Sequence, residues 1–126
     1  MSKEKPVVLI ADDEADIREL VSFRLEQSGY EVVVAEDGRQ ALDLLREVKP
    51  DLAVLDVMMP HLDGYEVTAE IRRDEDLKGT PVILLTARAQ EQDVQRGFDA
   101  GADDYIRKPF SPQELRSRVE SALSRG

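Results

Sequence analysis

Short runs of apolar, mostly β-branched residues alternate along the chain with longer segments whose apolar residues recur every three or four positions. The short runs have the composition of buried strands, and the longer segments have the spacing of amphipathic helices. Five strands are predicted, starting at Val7, Glu31, Leu52, Val82 and Tyr105, and a helix is predicted after each of them.

Turn and capping residues mark where the predicted helices begin and end. Ser28-Gly29 ends the first helix, Asp37-Gly38 is a turn before the second, and Gly101 closes the fourth. Before the fifth helix, Ser111-Pro112-Gln113-Glu114 combines an N-cap, a proline at the first helical position and a glutamate at the third. A polar connection, 74–80, separates the third helix from the fourth strand.

This alternation predicts one α/β domain, doubly wound, that spans 5–124. Parallel strands joined by helices require right-handed crossovers, which give a five-stranded sheet with helices on both faces. The strands read as continuous apolar runs, as expected when both faces of a sheet are buried. No internal repeat, low-complexity tract or second domain is visible in the 126 residues.

Composition narrows the functions that this domain can perform. Charged residues make up 35% and hydrophobic residues 41% of the chain, and the formal net charge is -10. Such acidity argues against direct binding of nucleic acid or of an anionic membrane, because both require positive surface. With no cysteine, no signal-peptide pattern and no apolar run long enough to span a bilayer, a soluble cytoplasmic protein is expected.

Chemically useful side chains stand where four of the predicted strands end. Asp12-Asp13 follows the first strand, Asp56 ends the third, Thr86 ends the fourth, and Lys108 follows the fifth. The carboxyl ends of parallel strands share one edge of a sheet, where open α/β sheets bind their ligands. We therefore expect three carboxylates, one hydroxyl and one ammonium to meet at that edge.

The turn after the first strand is densely negative and contains no glycine, which excludes a dinucleotide-binding fingerprint. Asp12 and Asp13 are hard oxygen ligands suited to Mg²⁺ or Mn²⁺, although acids at this position also commonly cap the following helix. A divalent cation and Lys108 would compensate the charge of Asp56 and keep it ionised as a nucleophile. Thr86 could donate a hydrogen bond to the same group, so the set suits phosphoryl transfer.

Four motifs make the chain similar to the receiver domain of bacterial two-component response regulators. They are Asp12-Asp13-Glu14 after an apolar strand, Asp56-Val57-Met58-Met59-Pro60 with Asp63-Gly64, Leu85-Thr86-Ala87, and Gly101-Ala102-Asp103-Asp104-Tyr105 with Lys108-Pro109-Phe110. The resemblance runs from about Pro6 to Leu123. It implies a flavodoxin-like sheet with strand order 2-1-3-4-5.

The resemblance also implies a role for each residue of this set. Asp56 would accept a phosphoryl group, and Thr86 and Lys108 would contact its oxygens. Mg²⁺ would be held by Asp13, Asp56 and the backbone carbonyl of Met58, with Asp12 binding the ion directly or through water.

A conformational switch is implied as well. Tyr105 would turn inward as Thr86 moves toward the phosphate. The Lys108–Pro109 bond would be cis, and Met58 and Arg88 would modulate the lifetime of the phosphoryl group. The expected result is a signalling switch rather than an enzyme.

The partners implied are a sensor histidine kinase or phosphotransfer protein as donor, and an output partner or domain. The output would bind the face formed by the fourth helix, the fifth strand and the fifth helix, or a phosphorylation-dependent homodimer would form. Asp104 and Arg118 match a salt bridge of dimers in the winged-helix subfamily, but Val94 replaces a basic residue expected to face Glu114. That departure, and the long connection at 74–80, favour a stand-alone receiver, or one from a hybrid kinase or a protein with enzymatic output.

Two other function classes fit parts of the pattern. A small Mg²⁺-dependent phosphohydrolase of the haloacid dehalogenase type also uses an aspartate nucleophile, but expects a second aspartate where this chain has Met58. A degenerate receiver that serves only as a scaffold would not need the intact acidic, hydroxyl and ammonium set. His61, the single histidine, is expected to be a solvated loop residue rather than an acid or metal ligand.

Overall fold

The computed structural model describes residues 5–87 and 91–125. Within them, strands and helices alternate strictly, as predicted. The elements are β1 (Val7–Ala11), α1 (Ala15–Gln27), β2 (Glu31–Ala35), α2 (Gly38–Val48), β3 (Leu52–Asp56), α3 (Gly64–Arg73), β4 (Val82–Thr86), α4 (Glu91–Ala100), β5 (Asp104–Arg107) and α5 (Pro112–Arg125). Arg88, predicted to modulate phosphoryl lifetime, lies outside the described residues. In the described part of the chain, no helix has the length and apolar character needed to cross a membrane.

The five strands form one parallel sheet in the order β2-β1-β3-β4-β5, which confirms the predicted fold class. Strand order reverses direction at β1, which lies between β2 and β3. Ligands of open α/β sheets bind beyond the carboxyl ends of the strands at such a point. Ala11 pairs with Leu55 across β1 and β3, so Asp12 and Asp56 follow them as neighbours at the sheet edge.

The core consists of two apolar clusters, one on each face of the sheet. Successive residues of a strand point to opposite faces, so Leu9 contributes to one cluster and Ile10 to the other. The first cluster packs under α2 and α3, and the second packs under α1 and α5. Every residue of β3 and β4 is buried, whereas the edge strand β2 is partly exposed. The two strands that end in Asp56 and Thr86 are therefore the most completely buried.

Side-chain caps fix where three helices start. Asp37, predicted as part of a turn, is instead the N-cap of α2 and accepts a hydrogen bond from the Gln40 amide at 2.8 Å. Asp63 caps α3 in a reciprocal arrangement with Glu66. Ser111 caps α5 as predicted, since its hydroxyl accepts the Glu114 amide at 3.0 Å. These caps hold the helix entrances at the edge of the sheet that carries the candidate site.

Glycines end two helices as predicted. Gly29 follows α1 with a φ of 97°, and Gly101 follows α4 with a φ of 111°. This left-handed backbone is disfavoured for residues with a Cβ atom. At Gly101 a Cβ atom would also lie 2.7 Å from Cγ of Arg72. The glycine therefore allows α3 and the end of α4 to approach closely.

Candidate functional site

Three carboxylates meet at the carboxyl edge of the sheet, as the strand ends predict. Oxygen atoms of Asp12, Asp13 and Asp56 all lie within 4.8 Å of one another. Asp12 is completely buried and Asp56 is 5% exposed, whereas Asp13 is open to solvent. Asp12, Asp13 and Asp56 therefore form a cluster of three carboxylates, here called the acidic nest. Solvent reaches this cluster on the side of Asp13.

The polar atoms of Asp12 are held by neighbours on several elements. Its Oδ1 accepts the Glu14 amide at 2.9 Å, and its Oδ2 accepts the Lys108 ammonium at 2.9 Å. Its backbone carbonyl accepts a hydrogen bond from Nη1 of Arg18, and its amide donates to Ala35. The alternative prediction, that these acids cap the following helix, is thus partly correct, because Asp12 accepts a hydrogen bond from the Glu14 amide at the start of α1. The same carboxylate also contacts the ammonium.

Lys108 is enclosed rather than solvated. Its side chain is 14% exposed, and Nζ lies 2.9 Å from Asp12, 3.4 Å from Glu14 and 3.4 Å from Asp56. Its amide donates to the carbonyl of Thr86 at 2.7 Å, and its bond to the following proline is cis, as the resemblance implies. The pairing of Lys108 with the end of β4 therefore places its ammonium among the carboxylates of the acidic nest.

The electrostatics of the nest favour a further cation. Burial, and then the charge of Asp12, raise the pKa of Asp56 to about 7, although Lys108 and the Met58 amide act in the opposite direction. Burial alone would lower the pKa of Lys108, but the hydrogen bond to Asp12 and the charge of Asp56 outweigh it and the pKa is raised. The Lys108 ammonium is well compensated, whereas the Asp56 carboxylate is not.

The donor set fits Mg²⁺. This ion prefers about six oxygen ligands at about 2.1 Å, which places adjacent ligand atoms about 3 Å apart and opposite ones about 4.2 Å apart. The three carboxylate oxygens already lie within 4.8 Å of one another, so small side-chain adjustments bring them into that range. Met58, whose carbonyl is the fourth predicted ligand, follows Asp56 by two residues, and its amide lies 3.4 Å from Oδ1 of Asp56. Its role as a ligand stays a prediction.

Thr86 and Tyr105, the predicted switch residues, line one small apolar pocket between β4, β5 and α4. Thr86 is 7% exposed at the end of β4. Tyr105 is partly buried, and its ring packs edge-on against Phe98 of α4, with centroids 6.1 Å apart. The pocket is also lined by Tyr65, Leu84 and Gly97. Both residues are thus placed where a movement of one changes the space open to the other.

Two charged residues near the nest escape prediction from the sequence. Glu14 is predicted only as part of the motif that follows the first strand, yet its carboxylate lies 3.4 Å from Nζ of Lys108. Arg18 is not predicted at all, although its guanidinium binds the Asp12 carbonyl at 2.9 Å. Their spacing of four residues places both on one side of α1, which is the signal that could have identified them.

Three other residues named in the sequence analysis can be located in the structure. Asp104 and Arg118, considered for salt bridges between subunits, pair with each other within the chain at 2.9 Å. His61 is exposed in the loop before α3, which confirms the solvated-loop prediction.

Comparison with known proteins identifies the family. Residues 8–120 match the family model described as the response regulator receiver domain. The chain belongs to the response-regulator receiver family.

Relatives and solved structures agree with this assignment. This receiver is 51% identical over 98% of its length to a probable transcriptional regulator of Guillardia theta, of which it covers 47%. It superposes on a putative response regulator from Chloroflexus aurantiacus with a TM-score of 0.92 and 37% identity, covering 96% of this chain and 99% of that one. A sensor histidine kinase receiver from Pseudomonas aeruginosa, with magnesium coordinated in its active-site cleft, gives 0.89 and 32% identity, covering 95% and 98%.

Family membership sets the general function. Receivers are signalling domains of response regulators rather than classical enzymes, and they bind Mg²⁺ through acidic residues such as those clustered here. The chain spans about half the length of the curated relatives it matches.

Proposed function

We propose that this receiver takes a phosphoryl group onto Asp56 from a histidine kinase or phosphotransfer protein, in a reaction that depends on Mg²⁺. The observation that carries the proposal is the nest itself. Oxygen atoms of Asp12, Asp13 and Asp56 lie within 4.8 Å of one another, and the enclosed Lys108 ammonium lies 3.4 Å from Asp56. The ligands of the ion are Asp12, Asp13, Asp56 and the carbonyl of Met58.

Phosphoryl transfer needs positioning and charge compensation more than covalent machinery. An oxygen of Asp56 forms the new bond to phosphorus while the phosphorus–nitrogen bond of the phosphohistidine breaks, and the electron pair leaves with the imidazole. No general base is needed, because an ionised carboxylate has no proton to lose. Lys108 contacts one phosphoryl oxygen and the hydroxyl of Thr86 contacts another. When bound, Mg²⁺ supplies positive charge that keeps Asp56 ionised and neutralises the transferred group.

The new phosphoryl contacts drive a two-state change at Thr86 and Tyr105. Shifting a population from about 1:99 to 99:1 requires roughly 5.5 kcal/mol of differential stabilisation. Hydrogen bonds to charged groups contribute about 1.5–3 kcal/mol each, so two or three of them at the phosphoryl group suffice. Since Thr86 and Tyr105 line the same pocket beside α4, the change reaches the surface formed by α4, β5 and α5. This surface is the proposed readout face.

We infer the wider context of the domain with support from the relatives. The receiver spans 5–124 and acts in the cytoplasm, where histidine kinases present their phosphohistidines. Curated relatives are transcriptional regulators about twice as long as this chain, while the solved neighbours include receivers of histidine kinases. In either kind of protein, the readout face would bind an output partner, an output domain or a second copy of this chain.

Mass spectrometry of the intact protein tests the proposal. Wild type, Asp56→Ala and Asp99→Ala are incubated with Mg²⁺ and phosphoramidate, and wild type is also incubated with a chelator. Asp99 is an exposed carboxylate of α4 and serves as the matched control. A phosphate-sized mass gain is expected in wild type and Asp99→Ala only when Mg²⁺ is present. Full retention of the gain in Asp56→Ala would reject the nucleophile, and catalytic turnover of a phosphomonoester would favour a phosphohydrolase instead.

A further inference from the structure

Glu14 forms a closed set of contacts with Asp12 and Lys108. Its amide donates to Oδ1 of Asp12 at 2.9 Å, which fixes its backbone at the entrance of α1. Its own side chain accepts from Nζ of Lys108 at 3.4 Å, and that ammonium donates to the other oxygen of Asp12. Although Glu14 is the N-cap residue of α1, its side chain makes no capping hydrogen bond within the described residues. The side chain is therefore committed to the ammonium rather than to the helix.

The position of Glu14 differs from that of the other carboxylates around Lys108. The side chain of Glu14 is 63% exposed, whereas those of Asp12 and Asp56 are 0% and 7% exposed. Glu14 therefore attracts the ammonium toward the solvent-facing rim of the nest. An ammonium has three donors: Asp12 and Glu14 accept hydrogen bonds from it, and Oδ1 of Asp56 lies 3.4 Å from Nζ, so no donor of Lys108 is left without a nearby carboxylate. A phosphoryl oxygen on Asp56 must compete with Glu14 for the same charge.

We propose that Glu14 is a positioning residue that holds the Lys108 ammonium at the rim and thereby restrains phosphorylation of Asp56. This inference rests on the proposed function, since it assigns Lys108 to the phosphoryl group. Loss of the Glu14 contact releases the ammonium toward Asp56 and speeds phosphoryl transfer. Exposed ion pairs contribute about 0.2–1 kcal/mol, which corresponds to a rate change of about 1.4-fold to fivefold.

Two substitutions separate the contact from the charge. Glu14→Gln keeps the length of the side chain and removes its charge. Glu14→Asp keeps the charge but shortens the side chain by one methylene, so the carboxylate no longer reaches Nζ. Asp16→Asn is the matched control, because it removes an exposed carboxylate from the same end of α1.

The experiment measures the rate of Asp56 phosphorylation by phosphoramidate at saturating Mg²⁺, and the dissociation constant of Mg²⁺ by calorimetry. Both Glu14 variants are expected to react about 1.4-fold to fivefold faster than wild type, while Asp16→Asn stays within about 1.2-fold. Mg²⁺ binding is expected to weaken in Glu14→Gln and to stay near the wild-type value in Glu14→Asp. In a Lys108→Met background, the Glu14→Gln substitution is expected to have no effect on the rate.

Several results would overturn the inference. If Glu14→Asp matches wild type while Glu14→Gln and Asp16→Asn are both faster, negative charge alone repels the phosphodonor and Lys108 is not positioned. The role of Glu14 is also rejected if its rate effect persists without the lysine. A wild type that takes up no phosphate overturns the proposed function and the restraint together, whereas a phosphorylated wild type with unchanged variants overturns only the restraint.

A second readout needs no phosphorylation. In the metal-free protein, the nitrogen resonance of the Lys108 ammonium reports its hydrogen-bond partners. It is expected to move in both Glu14→Gln and Glu14→Asp and to stay in place in Asp16→Asn. An unchanged resonance in the two Glu14 variants would reject the contact itself.

Discussion

The ammonium nitrogen of Lys108 lies 2.9 Å from Oδ2 of Asp12, a residue 96 positions earlier in the chain. The contact joins the ends of β5 and β1 and brings a positive charge to a carboxylate that is completely buried. Without a metal ion, this ammonium is the cation that compensates the nest formed by Asp12, Asp13 and Asp56. Removing the Lys108 ammonium is therefore expected to lower the free energy of unfolding, because the three carboxylates lose the charge that compensates them.

Lys108→Met is expected to destabilise the metal-free protein by about 3 kcal/mol at neutral pH, because removing one partner leaves buried carboxylates without compensation. Mg²⁺ is expected to recover most of this loss, since the ion supplies the missing charge. Urea denaturation with and without Mg²⁺ measures both effects. Lys78→Met is the control, because its pair with Glu75 is exposed and contributes less than about 1 kcal/mol. Equal losses in the two variants would contradict the compensation argument.

The raised pKa of Asp56 predicts how stability depends on pH without metal. The folded-state pKa is about 7 and the ordinary value is 3.8, so folding favours the protonated form. Below about pH 4 the group is protonated in both states and contributes nothing. As pH rises from about 4 to 7, the unfolded chain loses the proton first and stability falls, by on the order of 4 kcal/mol in total.

Asp56→Asn isolates this contribution, because the other titrating groups largely cancel in the difference from wild type. In the presence of a chelator, the stability advantage of Asp56→Asn is expected to grow between about pH 4 and 7 and then level off. Denaturation curves at intervals of half a pH unit would show it. An advantage that stays constant across this range would show that burial does not raise the pKa of Asp56.

Much of the fold and of the nest can be predicted from the sequence for one physical reason. Strands buried on both faces must be apolar throughout, so β3 and β4 are visible as uninterrupted apolar runs that end in Asp56 and Thr86. Parallel strands bring their carboxyl ends to one edge, so residues at those ends converge whatever the path of the helices. The meeting of Asp12, Asp56 and Lys108 follows from topology alone.

Contacts that depend on loop paths and side-chain conformations cannot be predicted in this way. The carboxylate of Glu14 lies 3.4 Å from Nζ of Lys108, a contact that depends on the conformations of both side chains. Arg96 of α4 stacks over the ring of Tyr65 at 4.3 Å, although the pattern of apolar residues places neither one. Asp37-Gly38 reads as a turn because both residues favour turns, yet the same preferences serve a helix start. Whether these residues form a turn or start a helix is therefore decided by tertiary packing and not by local sequence preference.

Arg72 provides a stability prediction that depends on such contacts. Its guanidinium donates to the carbonyls of Gly101, Lys78 and Thr80 and to the carboxylate of Asp103, at 2.7–3.1 Å. Arg72→Ala is expected to cost about 2–4 kcal/mol, because it leaves several acceptors unpaired at once. Because Arg72 also binds the carbonyl of Gly101, which follows α4, the substitution is expected to weaken the packing of that helix end as well.

The neighbouring Arg73 is the matched control for Arg72. It pairs only with Glu70 among the described residues, in an exposed contact at 2.7 Å. Arg73→Ala should therefore change the free energy of unfolding by less than about 1 kcal/mol. Urea denaturation of both variants at the same pH makes the comparison, and similar losses would mean that the contacts of Arg72 contribute little.

Gly97 tests the proposed switch without touching the acidic nest. A Cβ atom at this position would lie 2.9 Å from Cδ1 of Leu84 and 3.6 Å from the ring of Tyr65, inside the pocket that Tyr105 borders. Leu84 can shift because the close atom is at the end of a flexible side chain, and alanine gains up to about 1 kcal/mol of helix propensity. Gly97→Ala is therefore expected to fold and to accept phosphate at the wild-type rate. The smaller pocket should nevertheless disfavour the inward position of Tyr105.

Fluorine NMR of protein labelled with fluorotyrosine measures this effect, with Tyr105→Phe to assign the resonance. On phosphorylation, the Tyr105 resonance is expected to move in wild type and to move much less in Gly97→Ala. Gly79→Ala is the control, because among the described residues no atom lies within 4 Å of its added Cβ. If Tyr105 responds equally in all three proteins, the pocket beside α4 does not receive the ring, and the phosphoryl group must act on the readout face by another route.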